Sequence, residues 1–293
     1  MRHRPSTFDR VMAMVLEGMS KAAIARCAGV CATTVARWTN RGAARAAAFS
    51  ATRARGISAA ELQVDELRSR TLEFERPTWV HTSVDVESRL WLGLRVGTRS
   101  LRQVRLHFNE IQSRLSLRTT RPLIISDGYP YTRKAVDRVF GPLCMHAEVV
   151  KRYVKRRIAA SSIRLRSGTQ TRVQAVLKAS SFSYVVNTSC VERLNLTLRR
   201  SLAALHRRTN AVCRTEASLE AQLELLRCYY NFARPHQSLR QGRERRTPAM
   251  AAGLTTRPLT LREIFSTIIP ASELRRAAWP PPHRLCPEAK FQI

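Results

Sequence analysis

The sequence has 293 residues, with 51 Lys and Arg against 21 Asp and Glu, so its formal net charge is +30. Copies with this surplus would repel one another without a polyanionic partner, which favours nucleic acid over a membrane surface, although a GC-rich genome also enriches arginine. The 44% hydrophobic content predicts a globular chain long enough for one ordinary domain and a small one, and the lack of an apolar run of about 18 residues argues against a membrane span.

Residues 8–41 are predicted to form three short helices with a helix-turn-helix. Small Ala25 would let two helices approach closely, Gly29 would supply the sharp turn, and Val35 would fill the small core. The second helix of the pair would then present four polar side chains to a DNA groove or its phosphates: Thr33, Thr34, Arg37 and Arg41. A three-helix cap without a ligand is the alternative. We place this domain at residues 1–45, followed by a helical or flexible linker at 46–58.

From about residue 59 the apolar periodicity changes from helical spacing to alternation, and a larger domain is predicted over 59–240. Strands are expected at 61–67, 79–85, 90–96, 123–126 and 147–153, and helices at 101–115, 131–140, 190–206 and 218–232. This order predicts an α/β domain with a mixed sheet flanked by helices. The basic stretch 151–172 gives no clear pattern. Residues 241–293, which contain proline clusters, are expected to form a C-terminal extension that docks at first and then becomes disordered.

Three acidic residues stand where acid is locally out of place. Asp65 lies inside an apolar strand, Asp127 ends another strand, and Glu192 lies early in a helix with Asn195 and Arg199 on the same face. Two Asp and one Glu suit Mg²⁺, and two such ions can clamp the attacking and leaving oxygens of a phosphoryl displacement. Taken singly, each acid also fits a turn, a surface ion pair or a bond to a backbone amide.

Several segments resemble sequence motifs of a known family. Residues 187–199 resemble the third catalytic block of the DDE transposases of the insertion-sequence-one type, and 229–239 resemble the segment after it. Residues 246–254 are similar to the closing signature of that family, and 126–131 to its second block. The resemblance covers roughly residues 8–255.

The resemblance implies an RNase H-like fold that binds transposon ends and uses two Mg²⁺ or Mn²⁺ ions to cut and join double-stranded DNA, usually as a homo-oligomer on paired ends. By matching position, the catalytic and metal-binding residues would be Asp65, Asp127 and Glu192, with Asn195 and Arg199 as DNA contacts. Asp85 matches the next strand and is ranked as a neighbour of the site. His236 is expected to pack at a helix end or touch phosphate rather than to catalyse.

The alternative function is an inactive or domesticated copy that only binds DNA. It is motivated by Arg68, Ser69 and Arg70 after the first block and by the polar residues at 81–83, where the family usually has bulky apolar ones. The seven cysteines are scattered, and Cys27 and Cys31 have no second pair, so zinc is not expected. The N-terminal residues lack a signal-peptide core, which predicts a cytoplasmic, nucleoid-associated protein without a membrane partner.

Overall fold

The computed structural model describes residues 4–116, 121–141, 144–154 and 157–270, with the side chains of 152–159 left aside. The helices are α1 (Pro5–Leu16), α2 (Lys21–Ala28), α3 (Ala32–Arg53), α4 (Leu101–Arg114), α5 (Pro130–Phe140), α6 (Gln170–Ala179), α7 (Ser189–Ser201), α8 (Glu216–Phe232), α9 (Pro248–Ala251) and α10 (Leu261–Ser266). The strands are β1 (Glu61–Ser69), β2 (Thr78–Asp85), β3 (Trp91–Gly97), β4 (Leu123–Ser126), β5 (Met145–Val154) and β6 (Arg157–Ser167).

The three N-terminal helices have the predicted turn between α2 and α3. The hydroxyl of Ser20 accepts a hydrogen bond from the amide of Ala23 at 3.2 Å and thereby caps the start of α2. Gly29 ends the helix in the left-handed region with φ of +66°, which a residue without a Cβ adopts at no steric cost. The turn is closed by the amide of Val30, which donates to the carbonyl of Ala25 at 3.1 Å.

Helix α3 is longer than a helix-turn-helix requires, because residues 46–53 continue it. These residues were predicted as the first part of a linker, and the helical form of that prediction is the one observed. Ala46 and Phe49 are buried, and the ring of Phe49 meets that of Phe232 in α8 edge-on, with centroids 5.0 Å apart. The N-terminal helices therefore share one hydrophobic core with α8 and the sheet.

The six strands form one mixed sheet in the order β3-β2-β1-β4-β5-β6, which confirms the predicted mixed α/β class. β1, β4 and β5 run parallel to one another, whereas β2, β3 and β6 pair antiparallel. Alternation along β1 sends Leu62 and Val64 into the core under α4 and α5, and Leu67 into the core under α7 and α8. Asp65 lies two residues before Leu67 and points to the same face of the sheet, so it faces α7.

Two elements between β5 and α7 were not predicted, namely β6 within the basic stretch and α6, which begins near the end of that stretch. β6 pairs only with β5 at the sheet edge, and its Ile163 is exposed, so it carries no continuous apolar pattern that a sequence reading could detect. The element order therefore has one strand and one helix more than expected between β5 and α7.

The C-terminal extension docks on the N-terminal helices as far as residue 270. A guanidinium nitrogen of Arg45 donates to the carbonyls of Phe265 and Thr267 at 3.1 and 3.0 Å, and the rings of Phe8 and Phe265 lie 5.3 Å apart. The predicted disorder of the last residues falls on 271–293, outside the described part of the chain. Within that part, no helix combines the length and apolar character needed to cross a membrane.

Candidate active site

The three predicted acids line one cavity of about 430 Å³. Asp65 lies at the centre of β1, and Asp127 directly follows β4, the parallel neighbour of β1. Gln63 is paired with Ile125 in that register, so the two aspartates each lie two residues further along their strands. Glu192 reaches the same cavity from the first turn of α7. Parallel pairing and the docking of α7 on β1 thus bring together residues that are far apart in sequence.

The tightest acidic cluster contains a residue that the sequence reading missed. Carboxylate oxygens of Asp65, Glu66 and Asp127 all lie within 4.8 Å of one another, as ligands of one cation must. Neighbouring strand residues point to opposite faces, so the strand pattern that indicates Asp65 does not indicate Glu66. Asp127 lies beyond the end of its strand, where side chains from both faces can reach it. Three hard oxygen donors at this spacing fit Mg²⁺ or Mn²⁺.

Electrostatics in the cluster show why it favours a cation. Burial, together with the nearby charge of Asp127, raises the pKa of Asp65 to about 6. The same two causes raise the pKa of Glu66 to about 7, against the opposing charge of Arg99. Arg99 donates to Glu66 at 3.1 Å and packs over the ring of Tyr129 at 3.7 Å. One guanidinium does not neutralise three carboxylates, so the cluster disfavours its own ionised state unless a divalent cation is bound.

Asn195 holds Asp65 in place, and the prediction that it contacts DNA is corrected here. Its amide nitrogen donates to the Asp65 carboxylate at 2.8 Å, and its oxygen accepts from the Thr82 hydroxyl at 2.9 Å. The side chain is only 6% exposed and both of its polar atoms are engaged, so it is unavailable to a groove. Asn195 is therefore a positioning residue for Asp65.

Replacing Asn195 by Ala is expected to weaken Mn²⁺ binding about 10- to 100-fold, because Asp65 loses the bond that orients it. Electron paramagnetic resonance titration of free Mn²⁺ measures the affinity. Leu196→Ala, on the next and exposed position of α7, is the matched control and should leave the affinity unchanged. Equal affinity of the Asn195 variant and the control would contradict the positioning role.

Glu192 lines the cavity but stands apart from the tight cluster. Its carboxylate accepts hydrogen bonds from the ammonium group of Lys151 in β5 and from the hydroxyl of Thr188, the latter at 2.8 Å. Partial burial acts to raise the pKa of Glu192, but these two hydrogen bonds outweigh it and lower the pKa. Lys151 was not predicted as a site residue, although it lies in the strand expected at 147–153.

Asp85 and His236, which the sequence analysis also considered, have structural roles. The carboxylate of Asp85 accepts from the amide of Ser88 at 2.9 Å and closes the turn between β2 and β3, outside the cavity. His236 packs edge-to-face against Tyr230 with ring centroids 4.3 Å apart, consistent with the packing expected of it. Among the described residues, the acidic cluster is the one group of three potential metal ligands, and it contains neither Cys27 nor Cys31.

The predicted DNA contacts in the N-terminal domain are only partly on the surface. Thr33, Arg37 and Arg41 are exposed along one face of α3. Thr34 is corrected: it is 9% exposed, and its hydroxyl lies 3.0 Å from the Cys31 sulfur inside the turn. Arg199, predicted from α7, is half-buried, and one guanidinium nitrogen donates to the carbonyl of Leu205 at 3.2 Å.

Comparison with known proteins shows that the N-terminal helices are similar to a described DNA-binding domain. Residues 10–44 match the family model of the CENP-B N-terminal DNA-binding domain, which spans α2, most of α1 and the first half of α3. No curated protein matches the chain. The match covers about one eighth of the sequence and indicates DNA binding by a helix-turn-helix at these residues.

Proposed function

We propose that the protein is a DDE transposase, with an RNase H-like catalytic domain that cleaves and joins DNA strands at the ends of a mobile element. The observation that carries the proposal is the shared cavity of Asp65, Asp127 and Glu192 in a chain whose residues 10–44 match a DNA-binding domain. A mixed sheet with acids on a central strand, at the end of its parallel neighbour and on a packed helix is what the insertion-sequence-one resemblance implies. Paired element ends would require more than one copy.

The donor set supports a divalent-cation site. Asp65, Glu66 and Asp127 would hold one Mg²⁺ or Mn²⁺ ion, and Glu192 would join the ligands of a second once its carboxylate leaves Lys151. Bound divalent cations would activate the attacking oxygen and stabilise the leaving one. Asn195 keeps the Asp65 carboxylate directed into the cavity. Lys151 lines the same cavity, and its ammonium group would pair with a phosphate oxygen of the DNA when Glu192 turns to the cation.

Glu192→Gln tests the proposal, because the amide keeps the size of the side chain and removes its charge. Wild-type protein is expected to nick DNA that carries the element ends in the presence of Mg²⁺ or Mn²⁺. The variant should lose nicking and keep DNA affinity. Asp137→Asn, on exposed α5, removes one carboxylate away from the cavity and should nick normally. Equal nicking by the Glu192 variant and wild type would refute the assignment.

A second candidate function is DNA binding without cleavage. The observation that favours it is the pairing of Glu192 with Lys151, which leaves this acid outside the tight cluster. A protein of this kind would bind DNA with strong salt dependence and would not nick it with any divalent metal. The same assay therefore separates the two functions.

A further inference from the structure

A second and larger cavity, of about 710 Å³, lies between the β1–β2 connection and the α7–α8 connection. Six arginine side chains line it. We call it the arginine cavity, and its six arginines are Arg68, Arg70, Arg76, Arg199, Arg207 and Arg208.

Most of this charge is not neutralised within the described part of the protein. Of the six arginines, Arg76 is the one with a described carboxylate within 4.0 Å, that of Glu216 at 3.0 Å. One acidic residue, Glu75, lines the cavity together with the six arginines. Burial lowers the pKa of Arg199, and the nearby positive charge of Arg207 lowers it further. Holding like charges together costs free energy unless an anion offsets it, so the cavity is suited to an anionic ligand.

The walls of the cavity are tied together by backbone contacts. The amide of Leu72 donates to the carbonyl of Cys213 at 3.1 Å, and Arg70 donates to the carbonyl of Thr209 at 3.0 Å. Arg208 has a φ of +57°, in the left-handed region that a side chain with a Cβ rarely adopts. Hydrogen bonds therefore join the two connections that carry most of the arginines.

The arginine cavity and the candidate active site are both lined by residues of β1 and α7. Arg199 lies on α7 seven residues after Glu192, about 10 Å along the helix axis. Ser69, which also lines the cavity, follows Asp65 by four residues of β1, about 13 Å. Successive phosphates of a B-form strand advance by about 3.4 Å along its axis, so both distances correspond to a few nucleotides. The charge of Asp65 reaches Arg199, which links the two cavities electrostatically.

We propose that the arginine cavity binds backbone phosphates of the DNA strand that extends from the active site. Several separated guanidinium groups match a chain of phosphates better than a single phosphate ion. The identity of the bound strand rests on the proposed function, whereas the binding itself needs neither metal nor cleavage. These contacts would hold the strand in register while α3 reads the duplex elsewhere.

The test is the salt dependence of DNA binding without metal, measured by fluorescence anisotropy on a duplex of about 30 base pairs between about 50 and 200 mM salt. Arg207→Gln/Arg208→Gln should reduce the slope of log affinity against log salt by about two, because each lost phosphate contact removes about one. Its affinity at intermediate salt should fall at least about tenfold.

Two further variants make the result specific. Arg243→Gln/Arg245→Gln removes the same charge from an exposed loop and should leave the slope unchanged. Arg207→Lys/Arg208→Lys keeps the charge and should recover most of the slope, which separates charge from misfolding. An equal change in the cavity and loop variants, or none in the cavity variant, would overturn the proposal. The slope is measured without metal, so wild-type protein should show it even if it never nicks DNA, and failure of the proposed function is distinguishable from failure of this one.

Discussion

Asp65→Asn is expected to reduce metal-dependent nicking by about 10²- to 10³-fold, equivalent to about 3–4 kcal/mol of transition-state stabilisation. Asn keeps the size of the side chain and an oxygen that can still accept from Asn195, so the change is confined to one negative charge in the tight cluster. Mn²⁺ affinity should fall with nicking, while DNA affinity should stay at the wild-type value. Unchanged Mn²⁺ affinity in this variant would contradict its role as a ligand.

The same variant should be more thermostable than wild type in the absence of metal, and the gain depends on pH. Burial and then Asp127 raise the pKa of Asp65 to about 6 from a usual value of 3.8, so folding disfavours the charged form. For an acid with a raised folded pKa, this destabilisation is absent below about pH 4 and complete above about pH 6. The melting temperature of Asp65→Asn should therefore exceed that of wild type at pH 7 and match it near pH 4. A lower melting temperature at pH 7 would show that the carboxylate supports the fold.

Arg227→Met is expected to lower the free energy of unfolding by about 3–5 kcal/mol. Arg227 is 2% exposed and lies under β3, where it donates to Glu110 at 2.6 Å and to both carboxylate oxygens of Glu224 at 2.8 and 2.7 Å. Methionine has a similar volume, so the loss comes from two carboxylates left without this cation. Urea denaturation should show a lower midpoint with an unchanged slope.

The control for Arg227→Met also removes the Glu224 carboxylate, which that substitution leaves without its cation. Glu224→Leu/Arg227→Met should recover a large part of the lost stability, because replacing a buried ion pair by apolar side chains is often close to neutral. Glu110 keeps a partner in both variants, since Arg114 donates to it at 3.0 Å. A loss below about 1 kcal/mol in Arg227→Met would mean that water, rather than this arginine, satisfies the acids.

Short-range patterns were sufficient for much of the fold. The spacing of Ala25, Gly29 and Val35 predicted the helix-turn-helix, because its sharp turn and close helix packing depend on a few residues near in sequence. Alternating apolar residues likewise predicted the hairpin of β2 and β3, whose turn the acid at Asp85 closes. Strand β6 escaped prediction because an edge strand can be polar and basic throughout.

Three acids of the candidate site were predicted from the sequence, whereas Glu66 and the hydrogen-bond partners of the acids were not. The resemblance located Asp65, Asp127 and Glu192, but whether Asn195 faces DNA or Asp65 depends on how α7 docks on the sheet, which a sequence does not encode locally. The polar residues at 81–83 had suggested drift, yet Thr82 bonds Asn195 and Ser83 accepts from the amide of Gly93 at 2.7 Å. Side chains that broke the apolar pattern are thus hydrogen-bonded around the first acid.

The most direct measurement of the central claim is an anomalous difference map of crystals soaked with Mn²⁺. We expect a peak among the carboxylates of Asp65, Glu66 and Asp127, and a second one beside Glu192 when DNA is bound. The first peak should vanish in Asp65→Asn and persist in Leu196→Ala. A map without density between Asp65 and Asp127, or with Mn²⁺ bound only elsewhere on the chain, would contradict a metal-dependent active site here.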